Sequence, residues 1–125
     1  MGKKKIILVV EDDTDVRANI KLYLDSIGYT CWEASDGAEA LELTQRKQPD
    51  LILLDIMLPR INGYQVCKKL KENEKYKNIP IIMLTAKIER EDKEWGEKMG
   101  VDAYVTKPFD FDELQKMIDK LTRFK

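Results

Sequence analysis

No histidine occurs in these 125 residues. Its absence removes the side chain that most often serves as general base, as metal ligand and as internal carrier of a phosphoryl group. Cysteine is scarce: Cys31 and Cys67 stand far apart without a CxxC spacing, which argues against a metal ribbon or a redox pair and for two buried or half-buried thiols. Long apolar runs are missing as well. Those present, such as IILVV and LILL, are of strand length, well below the roughly 20 residues of a membrane span. The N-terminal MGKKKIILVVEDD has too short an apolar segment and no small-residue cleavage pattern for a signal peptide, so a cytoplasmic chain without membrane contact is expected. Charge of one sign is also lacking: 22 basic against 23 acidic residues leave −1, and no broad pull toward nucleic acid or acidic lipid follows. The chain shows no internal repeat, low-complexity tract or linker. Its chemistry therefore falls to carboxylates, lysines and hydroxyls.

What is present is a globular composition, 43% hydrophobic and 36% charged. The length suffices for one domain, residues 1–125, with a core that needs no disulfide or metal. Ile6 to Val10 reads as a buried strand, and Thr14 to Ile27 as a helix with Val16, Ile20, Leu24 and Ile27 on one face, closed by Gly28. Tyr29 to Ala34 mixes polar and apolar residues as an edge strand can, and SDGAEALEL starts a helix with Asp36 and Glu39 placed like a capping box. Leu51 to Leu54 is a third strand, Gly63 to Glu74 a helix packing through Val66, Cys67 and Leu70, and Pro80 to Leu84 a fourth strand. The next helix, Glu89 to Met99, offers only Ile88, Trp95 and Met99 as a spaced apolar set. Gly96 inside it costs about 1 kcal/mol relative to alanine, so this helix is expected to be the least stable. Ala103 to Thr106 and a final helix striped by Phe111, Leu114, Ile118, Leu121 and Phe124 complete a (βα)5 alternation. Such alternation predicts a doubly wound parallel sheet with helices on both faces.

Asp55 follows four aliphatic residues. It is either a reagent at the carboxyl end of a buried strand, where open α/β sheets bind ligands, or the start of a turn completed by Pro59, Asn62 and Gly63. The other strand ends bear on the choice. Glu11, Asp12 and Asp13 follow the first strand, Thr85 the fourth and Lys107 the fifth. Each has an ordinary use: Asp12, Asp13 and Thr14 as helix caps, Thr85 and Tyr104 as strand residues, Lys107 as a solvated lysine. Their arrival at one edge favours a site. With strand order 2-1-3-4-5, the first and third strands are neighbours, and Glu11, Asp12 and Asp55 converge. Two such charges about 4 Å apart repel by about 4 kcal/mol at an effective dielectric of about 20. A cation is required, and Lys107 supplies one charge. For the rest, carboxylate oxygens without histidine or thiolate select Mg²⁺ or Mn²⁺ over zinc. Asp55 could then attack phosphorus to give an aspartyl phosphate, with Thr85 hydrogen-bonding the product.

Taken together and in this order, ILVVEDD, LLDIMLPRING, IIMLTA and DAYVTKPF resemble the receiver domain of two-component response regulators, over essentially the whole chain. The resemblance implies a flavodoxin-like fold, and the strand order 2-1-3-4-5 rests on it as much as on the alternation. It also implies that Asp55 is the phosphoacceptor and that Glu11 and Asp12 form the acidic pair, with the backbone carbonyl of Met57 as a further oxygen on the metal. Thr85 and Tyr104 match a hydroxyl and aromatic switch, and Lys107 the lysine of the site. The implied activity is that of a signalling domain, not an enzyme, which supports its own Mg-dependent phosphoryl transfer and autodephosphorylation. Its implied partners are a sensor histidine kinase or phosphotransfer protein docking on helix one, at Arg17 and Asn19, and an output domain or target. The latter would read helix 4, strand 5 and helix 5, with no nucleic acid bound by this domain. One departure concerns output. Winged-helix transcription factors of the superfamily typically carry two acidic residues before the strand-five tyrosine, whereas Asp102 is followed by Ala103, which weakens the case for their dimer. The chain stops at Arg123-Phe124-Lys125, as a single-domain regulator or a receiver cut from a longer protein would.

Three rivals fit less well. A metal-dependent phosphatase with an aspartate nucleophile wants a second acid two residues on, where Met57 stands. A flavodoxin-like cofactor binder wants phosphate donors after strand one, where Glu11, Asp12 and Asp13 repel phosphate. A receiver reduced to an interaction module would not need every chemical position filled.

Overall fold

The computed structural model of the protein describes residues 4–86 and 90–123, leaving aside the side chains of Arg90, Glu91, Asp92, Lys93 and Trp95. Strands β1 (Ile6–Val10), β2 (Thr30–Ala34), β3 (Leu51–Asp55), β4 (Ile81–Thr85) and β5 (Ala103–Thr106) alternate with helices α1 (Thr14–Ser26), α2 (Gly37–Lys47), α3 (Gly63–Lys71), α4 (Arg90–Met99) and α5 (Phe111–Thr122). All strands are parallel in the order β2-β1-β3-β4-β5. The chain leaves β1 toward β2 on one side and returns to β3 on the other, so the loops after β1 and β3 part at the carboxyl edge and open a crevice.

Strand alternation divides the core into two layers. Leu8, Val10, Ile52, Leu54, Ile81 and Met83 pack with Ala40 of α2 and Val66, Cys67 and Leu70 of α3. The intervening Ile7, Val9, Leu51, Leu53, Ile82 and Leu84 pack with Ile20 and Leu24 of α1 and Leu114 and Ile118 of α5. Strands covered on both faces need apolar residues at every position, which is why IILVV and LILL do not alternate. Each such Leu or Ile contributes about 1.5–3 kcal/mol through burial. The edge strand β2 is half-buried at Thr30, Trp32 and Glu33. Cys31 and Cys67 are buried in opposite layers, and burial raises their thiols to about 12 and about 11 respectively.

Helix ends depart from expectation in small, explicable ways. At α2 the Asp36 carboxylate accepts from Glu39 N at 2.8 Å, but the Glu39 carboxylate accepts from Ser35 N at 3.0 Å, one residue before the cap. The reciprocal capping box stands instead at α3, between Asn62 and Gln65. That helix ends at Lys71, short of Glu74. Beyond it the Asn73 carbonyl takes Tyr76 N and Lys77 N while its side chain takes Lys75 N, local bonds that compete with a continuing helix. Lys71 closes the turn, donating to the carbonyls of Lys77 and Ile79 and to Asp102, which in turn accepts from Ile81 N at 2.7 Å. The Asp102 carboxylate is thus engaged by Lys71 and the start of β4, although the residue is exposed. Gly28, at φ 98°, ends the α1 segment in a conformation that favours glycine. Of the expected apolar stripes, Ile88 and Phe124 lie outside the described residues, as does the side chain of Trp95. Met99 packs partly buried on the core.

Candidate functional site

The carboxyl edge gathers four of the expected residues. Glu11 directly follows β1 and is 1% exposed; Asp55 ends β3 at 6%. Asp12 is exposed beside them, because Asp13 rather than Asp12 caps α1, accepting from Asp15 N at 2.9 Å and Val16 N at 3.1 Å. One carboxylate oxygen from each of Glu11, Asp12 and Asp55 lies within 4.8 Å of the others. Lys107 leans in from the end of β5, with Nζ 2.6 Å from Glu11 Oε1 and 3.3 Å from Asp55 Oδ2. The other Asp55 oxygen, Oδ1, accepts from Met57 N at 3.1 Å, which holds the carboxylate orientation.

Charge in this crevice is not balanced by the lysine alone. Burial, with the neighbouring Asp55 adding to it, pushes the Glu11 carboxyl up to about 7 against the opposing pull of Lys107. Burial by itself would lower the Lys107 ammonium, but Glu11 and Asp55 outweigh it and hold its pKa above the ordinary lysine value. Glu11 Oε2 is buried and has no hydrogen-bond partner. A buried carboxylate oxygen without a partner is costly unless a cation or donor completes it. Three carboxylates, no histidine and no thiolate suit a hard, oxygen-seeking dication of the Mg²⁺ type.

Thr85 and Tyr104 stand on the adjoining strands β4 and β5. Thr85 ends β4, where its carbonyl accepts from Lys107 N at 2.7 Å and ties the lysine's backbone to the neighbouring strand. The Lys107–Pro108 peptide is cis. Tyr104 pairs in register with Met83 and packs with the α2–α3 layer, its hydroxyl 3.0 Å from that of Tyr64. Met57 is 79% exposed at the crevice mouth.

Three supporting residues were not read as such from sequence. Gly63 touches the backbone of Asp55, and Gly96 lies against the Tyr104 ring. Arg17, expected on an exposed docking face, is instead drawn inward. Its side chain is 16% exposed, with Nη1 donating to the Glu11 carbonyl at 2.6 Å and Nε to Glu33 at 3.3 Å. A contact to a main-chain carbonyl leaves no motif, so sequence carries no signal for it.

The class defined by this sheet and crevice is that of doubly wound α/β proteins with an acidic site at the switch point. The family follows from comparison: residues 7–119 match the model described as response regulator receiver domain, and the chain belongs to that family. It is 39% identical over 117 residues to the DNA-binding dual master transcriptional regulator RpaA of Synechocystis sp., covering 94% of this chain and 48% of the relative. It is 42% identical to the alkaline phosphatase synthesis transcriptional regulatory protein PhoP of Bacillus subtilis, covering 98% and 50%. The chain therefore spans about half the length of these curated relatives. Among solved structures, the receiver domain of sensor histidine kinase PA1611 from Pseudomonas aeruginosa superposes with a TM-score of 0.89 at 32% identity, covering 97% of this chain and 99% of that one. That structure has a magnesium ion coordinated in its active site cleft. The protein is thus a receiver domain of two-component signalling, a signalling domain and not a classical enzyme. Among the described residues no helix is long and apolar enough to cross a membrane.

Proposed function

We propose that Asp55 is the phosphoacceptor, taking a phosphoryl group from a phosphohistidine on a sensor histidine kinase or phosphotransfer protein. An Asp55 carboxylate oxygen forms the new bond to phosphorus, and the imidazole leaves with the electron pair of the broken P–N bond. Glu11, Asp12, Asp55 and the Met57 carbonyl would hold Mg²⁺, with Mn²⁺ as a substitute. Bound there, the ion would offset the charge of the phosphoryl oxygens. Lys107, already shared by Glu11 and Asp55, supplies the second positive charge as Asp55 becomes an acyl phosphate. Thr85 would donate to the phosphoryl group, and water would later hydrolyse the aspartyl phosphate in the same crevice. The observation that carries this reading is the orphaned, buried Glu11 Oε2 beside two further carboxylates and one shared lysine.

The test is intact mass after incubation with acetyl phosphate. One phosphate is expected with Mg²⁺ or Mn²⁺, none in chelator and none for Asp55→Asn. Labelling at full rate in either control would reject the assignment.

The phosphoryl donor is proposed to dock on the groove between α1 and the β5–α5 connection, about 730 Å³, lined by Val16, Asn19, Leu22, Tyr23, Pro108 and Phe111. Leu22 is 71% exposed there, at a helix face that runs up to Lys107. Asn19→Lys or Leu22→Asp is expected to slow transfer from a phosphorylated kinase domain about tenfold while sparing labelling by acetyl phosphate. Equal slowing with both donors would place the effect in the crevice and reject docking at this groove. Arg17 is withdrawn from that surface by its bonds to Glu11 and Glu33. Phosphorylation is proposed to be read on α4, β5 and α5 by an attached output domain or a separate cytoplasmic target, with no nucleic acid bound by this domain.

A further inference from the structure

Arg17 sits in the first turns of α1, yet its guanidinium reaches back over the loop that carries the acidic pair. The β1–β2 ladder is extended by one bond, Glu11 N to the Ala34 carbonyl at 3.0 Å. In a continuing parallel ladder the carbonyl of Glu11 would accept from the next residues of the neighbouring strand. The donor would be Asp36 N, but that strand ends at Ala34, short of it. Arg17 Nη1 donates to the Glu11 carbonyl in its place, at 2.6 Å. On the far side, Asp13 is fixed by its cap bonds, and its carbonyl accepts from Arg17 N at 3.0 Å. The first backbone bond of α1 thus holds Asp13, and the Arg17 side chain adds a tie from that helix to the Glu11 carbonyl. Glu33 Oε1, 3.3 Å from Nε, orients the guanidinium.

We propose that Arg17 is a positioning residue for metal binding: by holding the Glu11 carbonyl it fixes the peptide between Glu11 and Asp12, and with it the direction of both carboxylates, so that it sets the affinity of the crevice for Mg²⁺. The inference rests on the reading of this crevice as the metal-dependent phosphoacceptor site. It has a distinctive sign. Arg17 is a cation beside an acidic cluster, so through-space repulsion alone would make its removal tighten binding of a dication. Loss of a residue that orients a ligand instead weakens metal affinity, typically by about 10–100-fold. The two effects oppose each other, and the measurement reads which one governs.

The experiment is calorimetric titration of the metal-free protein with Mg²⁺, alongside labelling by acetyl phosphate across a range of Mg²⁺ concentrations. For Arg17→Met the Kd for Mg²⁺ is expected to rise about tenfold. The Mg²⁺ needed for half-maximal labelling should rise in parallel, with the lost labelling recovered at saturating Mg²⁺. A Kd that is unchanged or tighter overturns the proposal, as does a labelling defect of equal size at every Mg²⁺ concentration. If the methionine variant does not fold, Arg17→Lys is read in the same way. Lysine can keep one of the two side-chain contacts, so a rise of about threefold is expected, and an unchanged or tighter Kd overturns the proposal. Failure of the parent protein to label at all would reject the phosphoacceptor reading instead, while the Mg²⁺ titration would still decide the role of Arg17.

Discussion

Gly63→Ala is expected to lower the unfolding free energy by about 3 kcal/mol, enough to reduce Tm by about 10 °C in a domain of this size. Gly63 is the first residue of α3, where its N–H donates to the Ile56 carbonyl at 2.9 Å. A Cβ there would lie 2.5 Å from the Asp55 carbonyl oxygen, 2.9 Å from Ile56 Cα and 3.1 Å from the Asp55 carbonyl carbon. All three are backbone atoms, which cannot rotate aside as a side chain can. Relief requires that the start of α3 or the end of β3 shift, and the latter carries Asp55. Misplacing a reacting group by about 1 Å can cost about 10² in rate. Labelling by acetyl phosphate, measured at a temperature where the variant remains folded, should therefore slow by about that factor. Urea unfolding and intact mass provide the two readings. A variant within about 0.5 kcal/mol of the parent, as ordinary surface substitutions are, and labelled at the parent rate would show that this close approach does not constrain the site.

The legibility of Asp55 and the opacity of Gly63 have a common cause. Asp55 and Glu11 could be found because each ends a run that burial forces to be apolar, and a polar residue at such a boundary is conspicuous whatever its partners; Lys107 follows β5, where only Val105 is buried, and was found by its place at a strand end. Convergence then follows from strand order, and the order follows from right-handed βαβ units and from the resemblance. Gly63 is legible as a turn residue and as the start of a helix; a glycine permits close backbone approach, but which backbone it meets depends on the fold. Arg17 was misread for the same reason: its acceptor is a carbonyl, and its burial depends on where β2 stops. The end of α3 at Lys71 goes with local bonds of Asn73, whose alternative, a continuing helix, the apolar spacing leaves equally open. Helix four offered a further lesson, because Gly96 counts as a defect by helix propensity alone and as a necessity once Tyr104 is placed.

Gly96→Ala is accordingly expected to change sign with its background. In the parent protein an alanine Cβ would come within 2.7 Å of Tyr104 Cε2 and 2.8 Å of Cζ, and against the hydroxyl that stands 3.0 Å from Tyr64 Oη. The ring must leave, losing its packing and that hydrogen bond, and the net cost is about 1–2 kcal/mol despite the better helix former. The three atoms nearest that Cβ all belong to Tyr104, so in a Tyr104→Ala background the same substitution should stabilise by about 0.5–1 kcal/mol through helix propensity. The coupling between the two positions is then about 2 kcal/mol, well above what distant sites show. Equilibrium unfolding of the four proteins measures it. The same variants bear on the proposed switch. Beryllofluoride with Mg²⁺ should alter amide exchange over residues 90–107 in the parent, if Tyr104 moves as Thr85 turns to the phosphoryl mimic. With the ring already displaced, Gly96→Ala should show a smaller change. Stabilisation by alanine in both backgrounds would mean that the ring does not rest on Gly96. An equal exchange response in parent and variant would mean that α4 and β5 respond to the phosphoryl group without Tyr104 as the link.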